Sequence, residues 1–165
     1  MNKKVGAVIA LVLLVGADQL TKQLAAAYLY LDKIATAIPG FIQFHYAENT
    51  GMAFSLLENA RWLFVAVTGV ACAAILIYLF FFKCRSYWLF WSLVVVAAGG
   101  IGNLIDRVLF GYVIDFIEPV FVDFAIFNFA DCLINVGAAS LILYLIADLV
   151  RESRRSKKEK GAPDA

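Results

Sequence analysis

Long stretches without a charged residue constrain this 165-residue chain more than any other feature. Leu63–Phe82 and Ser86–Ile105 each run for about 20 residues without Asp, Glu, Lys or Arg. About 20 apolar residues cross the hydrocarbon core of a bilayer as a helix. We therefore predict transmembrane helices over about 63–82 and 86–105.

Two further apolar stretches predict helices at either end. The chain is apolar from residue 5 and stays so beyond Asp18 and Lys22, which predicts a helix over about 5–24. Cys132–Ala147 is uncharged and lies between two aspartates, which predicts a helix over about 131–150. The N-terminus also fits a cleaved signal peptide, since two lysines precede an apolar run and small residues. The apolar stretch after Lys22 and the three later spans favour a retained helix.

The composition supports a membrane protein. Hydrophobic residues make up 63% and charged residues 16% of the chain, against roughly 45–50% and 25% in soluble proteins. A soluble domain of this size has too much surface to hide so many apolar side chains. A net charge of +1 gives no basic field for nucleic acid, so no such partner is expected. Three cysteines and one histidine indicate neither a disulfide framework nor a metal site.

Basic residues fall unevenly on the two sides of such a four-helix chain. One side carries Lys3, Lys4, Lys83, Arg85, Arg151, Arg154, Arg155, Lys157, Lys158 and Lys160. The other carries only Lys22, Lys33, Arg61 and Arg107. Because cytoplasmic loops hold the excess of Lys and Arg, we predict cytoplasmic termini and a basic cytoplasmic tail over 151–165. The segments 25–62 and 106–130 then face outward.

The first outer segment has the composition of short strands. Residues 38–57 combine aromatic and β-branched residues with a turn-like Glu48–Gly51, which predicts strands joined by a tight turn there. The second outer segment is rich in Phe and Tyr, which favour the membrane surface.

Polar residues gather at the outward ends of the predicted helices. They are Asp18, Lys22, Asn103, Asp106, Arg107, Asp115, Asn128, Asp131 and Asn135. Polar groups at membrane depth are costly, so each is a functional hypothesis. Some have structural explanations that we favour. Asp18 and Lys22 have the spacing of a helical ion pair, although Lys22 could instead extend to lipid headgroups.

Two further patterns are structural at first sight. Ala97–Gly102 is a run of small residues in the third helix, which favours close helix packing over a dinucleotide site. Asn128 and Asp131 have the spacing of a capping box, so Asp131 has a structural explanation too. Cys132 is better explained as a small buried hydrophobic residue than as a nucleophile.

Elimination leaves carboxylates as the chemistry-bearing groups. The chain has no H-E-x-x-H, no G-x-S-x-G and no P-loop. Two carboxylates about 3 Å apart share one proton, so one can activate water while the other protonates a carbonyl oxygen. Asp115, placed in an outer loop, and Asp131, at a helix start, are the candidates. The positive end of the fourth helix favours the ionised form of Asp131, which leaves the shared proton to Asp115.

Five sequence blocks together resemble the lipoprotein signal peptidase (signal peptidase II) family. They are Asp18–Lys22, Asn49–Ser55, Gly99–Arg107, Val113–Phe116 and Phe127–Asp131. The resemblance implies one all-α membrane domain over 1–165, with four transmembrane helices, a small extracytoplasmic β-cradle and a mobile outer loop. It places the catalytic aspartates at Asp115 and Asp131. Supporting positions fall on Asp18, Lys22, Asn49, Gly51, Asn103, Asp106, Arg107, Asn128 and Ala130.

The resemblance also implies a function. It is aspartic cleavage of diacylglyceryl-modified prolipoproteins before the lipidated cysteine, in the bacterial cytoplasmic membrane. The enzyme is expected to be a monomer in membrane lipid, without metal or organic cofactor, and to be inhibited by globomycin.

Two other classes of function stay open on the residues alone. A small proton- or ion-coupled transporter subunit could use Asp18, Asp106 and Asp131 as a cation path, although the charges form one layer. A structural membrane protein that binds lipid or a partner helix would tolerate Asp→Asn changes at Asp115 and Asp131.

Overall fold

A computed structural model describes residues 3–30, 33–51, 61–84 and 86–160, with side chains up to Ser156. Its elements are α1 Lys3–Leu29, β1 Ile34–Ile38, β2 Ile42–Asn49, α2 Arg61–Phe81, α3 Tyr87–Leu109, β3 Val113–Pro119 and α4 Phe129–Lys160. The described residues contain four helices long and apolar enough to cross a membrane. The predicted class, a four-helix membrane protein with a small sheet, is confirmed.

The helices extend beyond the uncharged spans from which they were predicted. α1 and α3 run outward to Leu29 and Leu109, because their charged residues find buried partners inside the protein. α4 runs to Lys160 through most of the segment predicted as a tail, since its Arg, Glu and Lys residues favour helix. Residues 161–165 lie outside the described residues.

α3 is the central helix, and its small residues make this possible. Gly99 faces α4, Gly100 faces α2 and Gly102 faces α1, and a Cβ added at these positions would meet a neighbouring atom at 2.4, 2.7 and 2.4 Å. Each side chain larger than hydrogen would therefore push a helix away. The predicted role of the small residues in close helix packing is confirmed.

The three strands form one antiparallel sheet in the order β1-β2-β3. The hairpin between β1 and β2 turns at Pro39–Gly40, where Phe41 N–H donates to the Ile38 carbonyl at 3.0 Å and Gly40 has φ +75°. Pro followed by Gly suits the central positions of a type II turn. This hairpin turn was not predicted. The predicted turn at Glu48–Gly51 follows β2, and the segment after it lies outside the described residues.

The segment at Glu48–Gly51 ends β2 with a local turn. The Asn49 side-chain oxygen accepts from Gly51 N–H at 2.8 Å, as in an Asx turn. Gly51 has φ +91°, a conformation that glycine adopts without strain. The rest of the first outer segment, residues 52–60, lies outside the described residues.

Asp115 lies in a strand, not in the loop we expected. β3 pairs with β2 in a register that sets Asp115 opposite Ala47. Its sequence is rich in β-branched and aromatic residues, which favour strands. Val113–Phe116 is buried, so this strand fixes Asp115 against the helices.

Basic residues lie at the end of the helix bundle opposite β3 and the start of α4. Lys3 Nζ donates to the Cys84 carbonyl at 2.8 Å, and Lys4 Nζ donates to the Phe80 carbonyl at 2.6 Å. The N-terminus of α1 therefore lies beside the link between α2 and α3, far from β3 and the start of α4.

Candidate active site

A buried ion cluster joins α1 to α3. Lys22 Nζ lies 2.9 Å from Asp18 Oδ2 and 3.0 Å from Asp106 Oδ2, and it donates to Asn103 Oδ1 at 2.8 Å. The side chains of Asp18 and Lys22 are fully buried, and that of Asp106 is 1% exposed. The predicted ion pair of Asp18 and Lys22 is confirmed. The alternative that Lys22 extends to lipid headgroups was wrong, because it is enclosed.

The two carboxylates of this cluster also hold the backbone of other elements. Asp18 Oδ1 accepts from the Ala130 N–H at 2.8 Å, and Asp106 Oδ2 accepts from the Ile114 N–H at 3.2 Å. Ala130 directly precedes Asp131, and Ile114 directly precedes Asp115. The cluster therefore positions both candidate aspartates through the peptide groups next to them.

Gln19 and Arg61 contribute contacts that the sequence analysis missed. Gln19 Nε2 donates to Asp106 Oδ1 at 2.9 Å and to the Gly102 carbonyl at 3.2 Å. Arg61 donates to the carbonyls of Arg107 and Val108, both at 2.7 Å, and so caps the end of α3. An amide inside an apolar helix is the signal that could have found Gln19; Arg61 gave none, because its acceptors are backbone groups.

The two candidate aspartates are joined by asparagine side chains. Asp115 accepts from Asn49 Nδ2 at 2.9 Å and from Asn128 Nδ2 at 2.6 Å. Asp131 accepts from Asn103 Nδ2 at 2.8 Å and from the backbone N–H of Asn128 at 3.1 Å. Asn128 thus contacts both carboxylates, and every carboxylate oxygen of the pair accepts a hydrogen bond.

Asn128 and Asp131 also form the predicted capping box. Asn128 Oδ1 accepts from the Asp131 N–H at 2.9 Å, while Asp131 Oδ2 accepts from the Asn128 N–H. The cap satisfies N–H groups that the first turn of a helix leaves without partners. It also aims the Asp131 carboxylate, because the hydrogen bonds fix its orientation at the start of α4.

Burial governs the electrostatics of Asp115. Its side chain is 2% exposed, and this burial raises its pKa to about 6, against the hydrogen bonds from Asn49 and Asn128. The negative charge of Asp131 raises the pKa of Asp115 further, and the positive charge of Lys22 lowers it. Asp115 therefore keeps its proton at a pH at which an ordinary carboxyl group has lost it.

Asp131 faces a cavity of about 360 Å³. The other lining residues are Asn49, Phe124, Ala125, Ile126, Phe127, Ile134 and Asn135. Asp115 is buried beside this cavity, hydrogen-bonded to its lining residue Asn49. The cavity is large enough for water molecules beside Asp131, and Asp115 is connected to its lining through Asn49.

The remaining predicted residues lie around this site. The Arg107 guanidinium lies 5.4 Å from the Phe64 ring, and its charge interacts with those of Asp131 and Asp115. Ala130 is fully buried. At Gly51 an added Cβ would lie 2.6 Å from the Phe64 ring, so a larger residue would disturb the turn after Asn49.

His45 and Cys132 take no part in the hydrogen bonds that hold the two aspartates. His45 is half-buried and lies 2.9 Å from Glu118 on the sheet, where Gln43 donates to the same carboxylate. The hydrogen bond from Gln43 lowers the pKa of Glu118. Cys132 is half-buried rather than buried. Within the described residues, no group of three His, Cys, Asp or Glu side chains is placed to hold a metal ion.

Four membrane-length helices around a polar site define a multi-pass membrane protein, and comparisons identify its family. Residues 9–147 match the family described as "Signal peptidase (SPase) II". The chain belongs to this signal peptidase II family and is a bacterial membrane peptidase.

Relatives and solved structures agree with this assignment. The chain is 43% identical over 143 residues to a lipoprotein signal peptidase of Streptococcus thermophilus strain CNRZ 1066, covering 87% of this chain and 94% of the relative. It is 42% identical to one of Streptococcus agalactiae serotype Ia, over 81% and 87% of the two chains. A solved bacterial membrane enzyme at 1.9 Å resolution has a TM-score of 0.79 and 31% identity, covering 87% of this chain and 94% of that one.

Removal of the Lys22 charge tests the ion cluster. In Lys22→Met, Asp18 and Asp106 lose the cation between them, so we expect a loss of about 3–5 kcal/mol in the free energy of unfolding. Denaturation in detergent measures it, with the exposed Lys33→Met as the control that leaves stability unchanged. Equal stability of the two variants would contradict the cluster's structural role.

Proposed function

We propose that this peptidase is an aspartic endopeptidase that removes signal peptides from diacylglyceryl-modified prolipoproteins. It cuts the peptide bond before the lipidated cysteine. The observation that carries the proposal is the pair Asp115 and Asp131, joined by Asn128 beside a cavity at one end of the membrane helices. The names of the relatives support the substrate class.

The two aspartates divide the proton transfers. Asp131 lines the cavity and removes a proton from a water molecule, whose oxygen attacks the carbonyl carbon of the scissile bond. Asp115, with a pKa raised to about 6 by burial, gives its proton to the carbonyl oxygen. In the next step the C–N bond breaks, and the proton held by Asp131 passes to the leaving nitrogen while the hydroxyl proton returns to Asp115.

The other polar residues hold the two aspartates in place. Asn49 and Asn128 hold the Asp115 carboxyl group, and Asn103 holds that of Asp131. The Asp18–Lys22–Asp106 cluster fixes the backbone on either side. The whole of 1–165 then works as one integral membrane domain, as a monomer, and an inhibitor of the globomycin type would occupy the cavity at Asp131.

The charge distribution supports an orientation in the membrane. The lysines at the start of α1 lie beside the link between α2 and α3, and the end of α4 adds further basic residues on that side of the bundle. By the positive-inside rule this end faces the cytoplasm. The aspartates then lie at the extracytoplasmic surface, where the lipidated cysteine of a membrane-bound prolipoprotein is presented.

Substitution of each aspartate tests the catalytic assignment. We expect Asp115→Asn and Asp131→Asn to lower cleavage of a diacylglyceryl-modified prolipoprotein by at least about a hundredfold, because each removes a proton transfer. The exposed Asp123→Asn should cleave like the unaltered enzyme. Cleavage that survives in a folded Asp115→Asn or Asp131→Asn variant would exclude that residue from catalysis. Tolerance of both changes would favour the transporter or structural alternatives.

The pH dependence tests which aspartate holds the proton. Because Asp115 has a pKa of about 6, kcat/KM should fall as the pH rises above that value. Asn49→Ala removes an N–H donor that favours ionised Asp115, so the decline should move to higher pH. Gln43→Ala, on the same strand, should leave the profile unchanged. A decline that stays in place or moves to lower pH in Asn49→Ala would contradict the assignment.

A further inference from the structure

Asn135 is a polar residue of the cavity that the proposed mechanism does not use. It lies one helical turn after Asp131 in α4, inside the membrane-length span Phe129–Ser156. It is exposed and lines the same cavity as Asp131. Within the described part of the chain, no side chain or backbone group hydrogen-bonds its carboxamide.

Three polar side chains of α3 and α4 satisfy one another. Ser92 and Ser140 hydrogen-bond each other at 2.8 Å, and Trp88 Nε1 donates to Ser140 Oγ at 2.8 Å. An amide without a partner at membrane depth is costly, because lipid tails offer neither donors nor acceptors. The Asn135 carboxamide is therefore available to hydrogen-bond a polar group that enters the cavity.

A transmembrane substrate brings such partners with it when it is cut. A signal helix in the bilayer satisfies its backbone groups internally. The cleavage site must leave the helix before water can reach the scissile carbonyl. The last turn of the remaining helix then has up to four carbonyls without partners, at the depth where the substrate enters the membrane.

The position of Asn135 matches that depth. α4 runs from the dyad into the membrane, and four residues of helix separate Asp131 from Asn135 by about 6 Å along the axis. An extended chain covers about 3.3 Å per residue, so 6 Å corresponds to about two residues. The signal-peptide side of the scissile bond is the side that lies deeper.

We propose that Asn135 is a substrate-binding residue that hydrogen-bonds the backbone of the signal peptide. Its Nδ2 group donates to the carbonyl of the second or third residue before the scissile bond. The inference rests on the proposed function and adds a subsite to it. It explains how an unwound segment is tolerated inside the membrane, since the enzyme supplies a donor that lipid cannot.

Backbone-ester substrates test this contact directly. In lipidated prolipoprotein peptides, one amide at a time on the signal-peptide side is replaced by an ester, which weakens the preceding carbonyl as an acceptor. With the unaltered enzyme, one ester near the second or third residue should lower kcat/KM about two- to tenfold. Asn135→Leu should lower kcat/KM to a similar extent with the all-amide substrate, and that ester should then cause no further loss.

Matched variants separate this role from a structural one. The neighbouring exposed Val136→Ala should cleave every substrate like the unaltered enzyme, and Asn135→Ser, which keeps a donor, should fall between Asn135 and Asn135→Leu. The Ser variant also serves if Asn135→Leu fails to fold. The proposal is overturned if the Asn135 variants cleave the all-amide substrate normally. It is also overturned if the ester still lowers kcat/KM in Asn135→Leu, or if every ester lowers kcat/KM of the unaltered enzyme equally. Failure of the unaltered enzyme to cut any lipidated peptide would overturn the proposed function instead.

Discussion

A single ammonium group, that of Lys22, lies between the carboxylates of Asp18 and Asp106, and the rest of the site is built on this contact. A buried charge without a partner would cost several kcal/mol, so the three groups hold one another in place. Each carboxylate also accepts a hydrogen bond from a backbone N–H, Asp18 from one in α4 and Asp106 from one in β3. Two helices, a strand and a helix start are thereby fixed by one charge cluster.

The sheet contributes the part of the site that the helices cannot supply. β3 carries Asp115 into the protein, and the neighbouring strand β2 ends at Asn49, whose amide holds that carboxyl group. Asn128, at the start of α4, completes the link to Asp131. Asp115 is thus buried and keeps its proton to a higher pH than an ordinary carboxyl group, while Asp131 faces the cavity. In the proposed mechanism, this difference in surroundings gives two chemically identical side chains different tasks.

Local spacing explains what the sequence could predict. The uncharged spans, the ion pair of Asp18 and Lys22, the small residues of α3 and the capping box of Asn128 all depend on residues a few positions apart. Each has a geometry that a helix dictates. The five sequence blocks placed the candidate aspartates through family resemblance, and the residues alone left the transporter and structural readings open.

Contacts between distant segments explain what the sequence could not predict. The N–H groups of Ala130 and Ile114 give no sequence signal, because any residue other than proline offers one. The hairpin turn at Pro39–Gly40 was missed because Glu48–Gly51 carries a second turn signal in the same outer segment. Asp115 was assigned to a loop because the aromatic residues around it were interpreted as a segment at the membrane surface, although the same residues also favour a strand.

Burial, together with the nearby charge of Asp131, raises the pKa of Asp115 to about 6. Carbon-13 NMR of carboxyl-labelled aspartates in detergent tests it most directly, with Asp115 assigned by the signal missing in Asp115→Asn. We expect Asp115 to titrate near pH 6 and Asp131→Asn to lower its pKa, since the Asp131 charge raises it. An Asp115 signal that titrates near pH 4, or that does not respond to Asp131→Asn, would show that burial beside Asp131 does not raise the pKa of Asp115.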